Sequence, residues 1–369
     1  MTSWSEDQLV AANEDAAEFF RRQLLGPDGD GPRTYLTQRG FGALLADDTP
    51  WTVGYAPAGW TALHDRLSEL GYSDDCQLAA GLVTTSRRGS PIDRFRDRIT
   101  FGICDADHAL VGFVARSSPG ASPQAPKYLN TPTTAIYNKR ESLFGAGEQA
   151  KRLRTGATPV LVEGPLDAIA IAFTSLTEKQ KYVGLALCGT ACTDAHARTA
   201  LVDKRADAIL MFDMDPAGQR AMRTAHTRLS SYIEGISAAR LATGCDPAEE
   251  FRRRGPSSIL QHLARASDAA DLLVDMQLES WPASQTGAEA DLARLREVAA
   301  LIADVSGPDM AHHAARLRDR LPFNDETIAR ELANAATRTR DLRPRRAPTY
   351  PAGRHHGPPA DPVATSRVC

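Results

Sequence analysis

Apolar and polar positions recur with different periods along this chain and divide it into segments. Residues 5–25 carry apolar side chains at helical spacing, which predicts an amphipathic helix. The pattern then predicts short helices over residues 33–38, 59–71 and 73–80, and strands over 94–105 and 109–116. The first part of the chain is therefore expected to have a mixed α+β structure.

From residue 158 the pattern becomes a regular alternation of short apolar runs and helical segments. The predicted strands are 159–163, 182–187, 208–213 and 236–242, and the helices between them are 166–177, 194–204 and 216–231. Such an alternation indicates right-handed crossovers and a parallel sheet. Residues from about 258 to 336 have helical periodicity, with loops expected near residues 281–284 and 306–308. The stretch that follows is rich in Pro, Arg, Gly and His, and we expect it to be disordered.

Carboxylates directly follow two of the predicted strands. Glu163 ends the apolar run that begins at Val160, and Asp213 and Asp215 end the run that begins at Ala208. The carboxyl ends of parallel strands meet at one edge of a sheet, so we expect these three carboxylates to lie close together. Closely placed carboxylates repel unless a cation lies between them, and oxygen ligands favour Mg²⁺, which usually shares its shell with phosphates. The pattern therefore indicates phosphoryl or nucleotidyl transfer.

Two neighbouring aspartates also have ordinary structural interpretations. Asp167 falls in the first turn of the helix after Glu163, where an acidic residue complements the helix dipole. Asp215 precedes Pro216, which is the pattern of an N-cap followed by the first helical residue. At a strand end, the roles of cap and cation ligand are compatible, so both interpretations stay open.

Basic residues concentrate upstream of these carboxylates. Arg94, Arg96 and Arg98 alternate along the predicted strand 94–105, so all three are expected to face one side of it. Guanidinium groups in a row repel one another unless an anion lies beside them, and the geometry of a guanidinium matches that of phosphate. The alternative interpretation is a basic face that is exposed to solvent. Further basic residues follow at Arg116, Lys127 and Lys139.

Composition restricts the classes of protein that need to be considered. The chain has 369 residues, 42% hydrophobic and 24% charged, which is ordinary for a globular protein of two or three domains. Because its net charge is −3, any nucleic-acid surface must be a local patch. The six cysteines have no zinc-type spacing and predict reduced thiols in a cytoplasmic protein. Neither a signal peptide nor a membrane-spanning stretch is predicted.

The carboxylate motifs resemble those of the Toprim domain. The matching residues are Glu163-Gly164 through Asp167, Gly189-Thr190, and the run from Asp213 to Gly218. Upstream, the chain resembles more narrowly the catalytic core of bacterial DnaG-type replicative primases, over residues 54–60, 95–101, 111–116, 126–134, 138–139 and 143–145. The resemblance extends from about residue 8 to 262.

This resemblance implies an α/β fold class with four successive parts. They are an α+β primase N-terminal subdomain with a basic surface over residues 1–145, a Toprim-type parallel-sheet domain over 155–262, a helical region over 263–337, and a disordered Arg/Pro-rich tail over 338–369.

The resemblance also implies a function. Such a protein is a DNA primase, a nucleotidyltransferase that makes short RNA primers on single-stranded DNA from ribonucleoside triphosphates during replication. The implied catalytic residues are Glu163, Asp213 and Asp215, with Glu163 as a general acid or base. Mg²⁺ or Mn²⁺ would be held by Glu163, Asp167, Asp213, Asp215 and Asp246. Phosphates of the template or nucleotide would be bound by Arg94, Arg96, Arg98, Arg116, Lys127, Asn130 and Lys139. A replicative helicase is a candidate partner, and the expected location is the cytoplasm, in association with the nucleoid.

The sequence departs from the family pattern in three places, of which one is a short helical region that ends in a basic extension. The chain starts at the core, without the zinc-ribbon domain that precedes it in the family, so no zinc is predicted. Where the family has Asp-Pro-Asp, Asp246 matches the first aspartate but Ala248 replaces the second, and Glu249 or Glu250 is a candidate substitute.

Two other functions stay open at this point. A Toprim nuclease would use the same carboxylates, although the arginine run and the segment 126–130 match primases only. A non-catalytic nucleic-acid or replisome-binding module is the other alternative, and Ala248 favours it because a metal ligand is lost.

Overall fold

The N-terminal domain is built on a four-stranded antiparallel sheet. The computed structural model describes residues 4–119, 121, 124–176, 181–201, 207–242, 244–281, 287–305 and 310–342. The sheet has the order β1-β4-β5-β6, with β1 at Val53–Ala56, β4 at Arg98–Cys104, β5 at Leu110–Ser117 and β6 at Tyr128–Asn130. A separate hairpin pairs β2 (Val83–Thr85) with β3 (Pro91–Asp93).

Four helices cover this sheet and its hairpin. They are α1 (Glu6–Leu25), α2 (Asp30–Gln38), α3 (Ala62–Glu69) and α4 (Asp74–Ala79). Helix α1 begins with a capping box formed by Ser5 and Gln8, as its sequence allows. Its Phe20 packs edge-to-face on Phe113 of β5, with ring centroids 5.5 Å apart. The mixed α+β character predicted for this part of the chain is confirmed.

A second sheet forms the centre of the parallel-sheet domain. Its order is β11-β10-β9-β7-β8, with β7 at Thr158–Val162, β8 at Tyr182–Ala186, β9 at Ala208–Leu210, β10 at Ile236–Ala238 and β11 at Ser267–Asp268. All pairs are parallel except β10 with β11. The four predicted strands are present, each within a few residues of its expected bounds, and the Toprim-type fold is confirmed.

Helices connect these strands and continue beyond the sheet. The connecting helices are α5 (Ala150–Arg154), α6 (Pro165–Ser175), α7 (Asp194–Ala200), α8 (Pro216–Leu229), α9 (Pro247–Arg254) and α10 (Pro256–Ala264). Helices α11 (Ala269–Glu279), α12 (Ala288–Val305), α13 (Ala311–Arg320) and α14 (Asp325–Leu342) follow. Helix α14 thus continues into the start of the stretch predicted to be disordered, and residues 343–369 of that prediction lie outside the described residues. None of the described helices has the length and apolar content that crossing a membrane needs.

The two domains share backbone hydrogen bonds. Phe144, at the end of the N-terminal domain, exchanges two bonds of 3.0 and 3.2 Å with Ala186 at the end of β8. Gly145, which has a positive φ of 91°, lies so close to β8 that a Cβ would stand 2.5 Å from the carbonyl oxygen of Gly184. These contacts set the N-terminal domain against the edge of the parallel sheet.

The predicted strand 94–105 is wrong in its first part. The strand begins only at Arg98, because Asp97 adopts a positive φ of 50° that interrupts the extended chain. Arg94 and Arg96 therefore lie in a bend between β3 and β4, and the alternation that was expected to align three arginines does not exist.

Candidate active site

Four carboxylates converge where strands β7, β9 and β10 lead into their helices. Glu163 follows β7, Asp213 follows β9, and Asp215 and Asp246 are the N-caps of α8 and α9. We call these four residues the acidic cluster. The cap prediction for Asp215 is confirmed, since its Oδ1 accepts two N–H groups of α8 at 2.8 Å.

The charges of the acidic cluster act on one another. Burial raises the pKa of Asp213 from 3.8 to about 7, and the carboxylates of Glu163 and Asp246 add to the shift. Burial likewise raises the pKa of Glu163, with Asp215 and Asp246 contributing. Lys127 opposes the shift at both groups, so its ammonium faces the cluster.

The cluster fits a hard divalent cation. Oδ1 of Asp213 is buried and accepts no hydrogen bond from any residue that the structure describes, which leaves a negative oxygen for an outside partner. Within the described ranges, no three His, Cys, Asp or Glu side chains are arranged to enclose a metal by themselves. Mg²⁺ does not require such a cage, because it is commonly held by one or two carboxylates together with phosphates and water.

Gly218 allows these carboxylates to approach the first turn of α8. A Cβ at this position would stand 2.0 Å from the carbonyl oxygen of Asp213 and 2.9 Å from Oε1 of Glu163. That same Oε1 accepts the N–H of Asp213 at 3.4 Å. A larger residue would push the helix start away from the cluster.

Asp167 connects two helices beside the cluster. Its side chain is buried, with Oδ2 accepting the N–H of Gly164 and Oδ1 that of Ala248, each at 3.0 Å. Burial raises its pKa, and Asp246 adds to the shift. Both oxygens thus bind backbone at the starts of α6 and α9 and hold these helices together, and its role as a metal ligand stays a prediction.

A groove lies next to the acidic cluster, between β6 with its following loop and the turn after β8. Its volume is 440 Å³, and its polar lining includes Arg94, Tyr128, Asn130, Thr131, Thr133 and Lys139. Asn130 Nδ2 donates to the carbonyl oxygen of Cys188 at 3.0 Å, which ties the two walls together. Its Oδ1 is buried and accepts no hydrogen bond within the described part of the chain.

Two family models match the chain in succession. One, described as the DNA primase catalytic core, N-terminal domain, covers residues 19–150, and the other, described as Toprim-like, covers 160–251. This chain belongs to the DnaG-type primase catalytic cores. The family expected from the motifs is thereby confirmed.

Known primases resemble the chain over most of its length. It is 34% identical to a DNA primase of Streptomyces coelicolor over 90% of this chain and 52% of that protein. It is 31% identical to a DNA primase of Mycolicibacterium smegmatis over 85% of this chain and 48% of that protein. The chain therefore spans about half the length of these relatives.

Solved primase domains have the same fold. The RNA polymerase domain of the Mycobacterium tuberculosis primase DnaG matches with a TM-score of 0.71 and 28% identity, covering 85% of this chain and 99% of that domain. A DnaG primase catalytic domain bound to ssDNA matches with a TM-score of 0.65 and 25% identity, covering 87% and 98% of the two chains.

This primase core separates the three arginines that were expected to share one face. Arg94 lines the groove and donates from Nε to the carbonyl oxygen of Asn130 at 2.9 Å. Arg96 stacks on the exposed Trp60, with 4.5 Å from Cζ to the ring centroid. Arg98 is buried and donates to the carbonyl oxygen of Pro126 at 2.9 Å. The structure thus makes Arg98 part of the scaffold.

Arg116 and Lys127 surround Tyr128 at the join between groove and cluster. Arg116 Nη1 donates to Tyr128 Oη at 3.0 Å, and its guanidinium lies 5.3 Å from the ring centroid of Tyr35. Lys127 Nζ lies 5.6 Å from the Tyr128 ring centroid. Arg116 therefore shapes the wall of the site, whereas Lys127 brings a positive charge to the carboxylates.

The candidate substitutes for the missing aspartate have other partners. Ala248 is 1% exposed and packs in the apolar core. The hydrogen bond from Arg252 lowers the pKa of Glu249 to about 2, and Arg253 and Arg39 also pair with it. Glu250 is buried and accepts hydrogen bonds from Ser258 and Cys245. In this structure neither glutamate takes the place of a carboxylate at position 248.

Arg39 is a residue of the site that could not be predicted from the sequence. Arg39, at the end of α2, reaches the parallel-sheet domain and places Nη2 3.6 Å from Oδ1 of Asp246. Nothing in its sequence surroundings distinguishes it, because its partner lies more than 200 positions away and only the docking of the domains brings the two together.

Proposed function

We propose that this chain synthesises short RNA primers on single-stranded DNA by nucleotidyl transfer. The observation that carries the proposal is the buried, unsatisfied Oδ1 of Asp213 within the acidic cluster. The cluster adjoins a groove whose Arg94, Asn130 and Lys139 suit a phosphate backbone. The acidic cluster, which suits cations, and the groove, which suits a phosphate backbone, thus lie side by side.

Relatives support nucleic acid as the ligand of the groove. The M. tuberculosis domain has been solved with a double-stranded DNA that carries a 6-nucleotide overhang, and another DnaG catalytic domain with ssDNA. By this likeness we assign the groove to the template strand. Binding through phosphates releases counterions, so the affinity should fall steeply with salt.

The carboxylates of the cluster have distinct roles in this proposal. Glu163, Asp213 and Asp215 would hold Mg²⁺ or Mn²⁺, which when bound supplies the charge that neutralises the nucleotide phosphates. Glu163 would accept the proton of the attacking 3′-hydroxyl. The 3′-oxygen bonds to the α-phosphorus of the next nucleotide, and the bond from that phosphorus to pyrophosphate breaks. Lys127 stabilises the negative charge on the phosphates.

Neither alternative activity agrees as well with these observations. The N-terminal primase match over residues 19–150 contributes most of the groove, and a Toprim nuclease has no need of it. A purely binding module would not need a buried carboxylate oxygen that accepts no hydrogen bond from the described residues, since such a group costs stability. A replicative helicase as partner stays a prediction.

The proposal is tested with the purified chain, a single-stranded template and labelled ribonucleoside triphosphates, in Mg²⁺ or Mn²⁺. We expect short labelled RNA from the wild type and none from Asp213→Ala at equal protein and template concentration. A folded wild type that binds the template but makes no RNA with either metal would leave the binding module as the better description.

A further inference from the structure

Arg39 is a cation built into the acidic end of the site. Its Nη1 donates to Glu249 Oε2 at 2.9 Å, and its Nη2 lies 3.6 Å from Asp246 Oδ1. The side chain is only 19% exposed, so these charges are largely shielded from water. A guanidinium does not lose its proton in a protein, so the positive charge is permanent.

Asp246 is already engaged by groups of this chain. Its Oδ1 caps α9 by accepting the N–H of Glu249 at 2.6 Å, and the same oxygen faces Arg39. Its charge still reaches the cluster, since it helps to raise the pKa of Asp213 and of Glu163. Asp246 therefore belongs to the acidic cluster but is neutralised from the side of the N-terminal domain.

On the α9 side of the cluster, position 248 provides no carboxylate. Ala248, two residues after Asp246, is buried and apolar. Glu249 is bound by Arg39 and by two arginines of its own helix, Arg252 and Arg253. Among the described residues, the α9 side of the cluster therefore carries an arginine and no spare carboxylate, whereas the β7–β9 side carries Asp213, whose Oδ1 accepts no hydrogen bond from them.

We propose that Arg39 occupies, at Asp246, the place that a second divalent cation would otherwise take. Metal is thereby confined to Glu163, Asp213 and Asp215, and Arg39 acts as a positioning residue that holds Asp246 and Glu249. The inference rests on the proposed function for the metal at those three carboxylates. Because Arg39 comes from the N-terminal domain, this charge is present only when the two domains are docked.

The alternative hypothesis, that Arg39 only holds the two domains together, predicts the opposite change in metal binding. If Arg39 only holds the domains together, its removal loosens the site and weakens the binding of metal. If Arg39 replaces a cation, its removal leaves Asp246 unpaired and strengthens the binding of metal, because an uncompensated carboxylate attracts a divalent ion. The sign of the change in affinity therefore decides between the two roles.

The test is a titration of the nucleotide-free chain with Mn²⁺, with free Mn²⁺ followed by electron paramagnetic resonance. We expect Arg39→Ala to bind Mn²⁺ at least about threefold more tightly, or to bind one ion more, since partly buried ion pairs contribute on this order. Arg39→Lys should stay near the wild type. Arg252→Ala is the matched control, because Arg252 also pairs with Glu249 but is not among the described partners of Asp246; it should change Mn²⁺ affinity by less than about twofold.

A second variant keeps the proposal testable if Arg39→Ala does not fold, as judged by thermal denaturation. Asp246→Asn retains a good N-cap, so the helix start should survive. Alone it should weaken Mn²⁺ binding by no more than about threefold, because one negative charge near the cluster is lost, and in Arg39→Ala it should abolish the gain. A tenfold loss in Asp246→Asn alone would make Asp246 a metal ligand and overturn the proposal. Unchanged or weaker Mn²⁺ binding in a folded Arg39→Ala would also overturn it.

Failure of this inference can be distinguished from failure of the proposed function. Absence of RNA synthesis by the wild type rejects primase activity, whatever the Mn²⁺ titration shows. Conversely, the wild type can make primers while Arg39→Ala fails to gain affinity, which rejects only the role of Arg39.

Discussion

At the scale of one residue, burial of the Asp213 carboxylate in the site lowers the stability of the metal-free fold. Its Oδ1 is buried without a hydrogen bond from any described residue, and burial together with three further carboxylates raises its pKa to about 7. Packing alone would favour an uncharged side chain here. A carboxylate in such a position is best explained by a cation that is present during function.

Replacement of Asp213 by asparagine should separate stability from activity. The variant keeps the shape of the side chain but removes the charge, so primer synthesis should fall by about a hundredfold or more. The melting temperature of the metal-free protein should rise or stay the same, because repulsion within the cluster is relieved. Primer assays and thermal denaturation on the same preparation test both expectations. Undiminished synthesis by a folded variant would contradict the assignment.

The acidic cluster should also make the stability of the metal-free protein depend on pH. The pKa of Asp213 is raised from 3.8 to about 7, so the folded state holds this proton more tightly than the unfolded chain does. Stability is therefore lost as pH rises through that interval. Glu148, whose pKa burial raises to about 7, should contribute in the same direction.

Denaturant unfolding in a chelator between pH 4 and 8 measures this dependence. Asp213→Asn should flatten the curve in part and leave the contribution of Glu148, and added Mg²⁺ should restore stability at the upper end of the range. Identical pH profiles for the wild type and the variant would show that Asp213 is ionised normally.

At the scale of elements, the three arginines in β4 and the segment before it lie in three different environments. The positive φ of Asp97 ends the irregular segment, and Arg98 then points into the core from the first residue of β4. Its guanidinium binds the carbonyl oxygens of Ala115 and Pro126, so it holds β5 and the chain before β6 in place. A basic residue is here part of the scaffold of the groove and not of its surface.

Arg98→Ala should consequently act on folding. Loss of charge-assisted hydrogen bonds at a buried site should reduce the free energy of unfolding by about 2 kcal/mol. Lys139→Ala is the matched comparison, because this residue is exposed and lines the groove. It should leave stability unchanged but reduce the slope of log affinity against log salt by roughly 0.7 for single-stranded DNA.

Urea unfolding and salt-dependent fluorescence anisotropy on both variants give the two readouts. Full stability of Arg98→Ala would contradict the scaffold role, and an unchanged salt slope for Lys139→Ala would remove that residue from the phosphate track.

At the scale of the whole molecule, the site exists because two sheets are docked. Besides the backbone bonds of Phe144, a buried His196 at the start of α7 connects the domains: its Nε2 lies 3.1 Å from the carbonyl oxygen of Lys139, and its Nδ1 accepts the N–H of Thr193. This pattern requires the neutral ring with its proton on Nε2. Lys139 thus owes its place at the groove to a residue of the other domain.

His196→Ala should weaken substrate binding more than turnover. The loop that carries Lys139 would lose its anchor, so we expect a several-fold rise in KM for nucleotide or template with a smaller change in kcat. Burial lowers the pKa of His196 below 6.5, so the neutral ring is favoured in the folded state and its contribution to stability is lost as pH falls below about 6.5.

Steady-state kinetics and unfolding between pH 5 and 8 test this anchor. A fall in kcat at unchanged KM, or an acid sensitivity identical to that of the wild type, would assign His196 a role other than positioning Lys139.

Most elements and the carboxylates of the site could be read from the sequence. Strands β7, β8, β9 and β10 were predicted because short apolar runs separated by helical segments determine crossovers and a parallel sheet. Glu163, Asp213 and Asp215 follow such runs, so the topology alone brings them to one edge. The family motifs lie in these same local segments, which is why the primase core was correctly identified.

Other features depend on contacts between residues far apart in the chain, and only the tertiary structure decided them. Arg98 is buried because β5 and Pro126 cover it. Glu249 does not replace the missing aspartate because it pairs with arginines from both domains. Arg39 became part of the site through Asp246, more than 200 positions away. Local periodicity determines which residues form strands and helices, whereas the partner of a charged side chain is determined by how those elements dock.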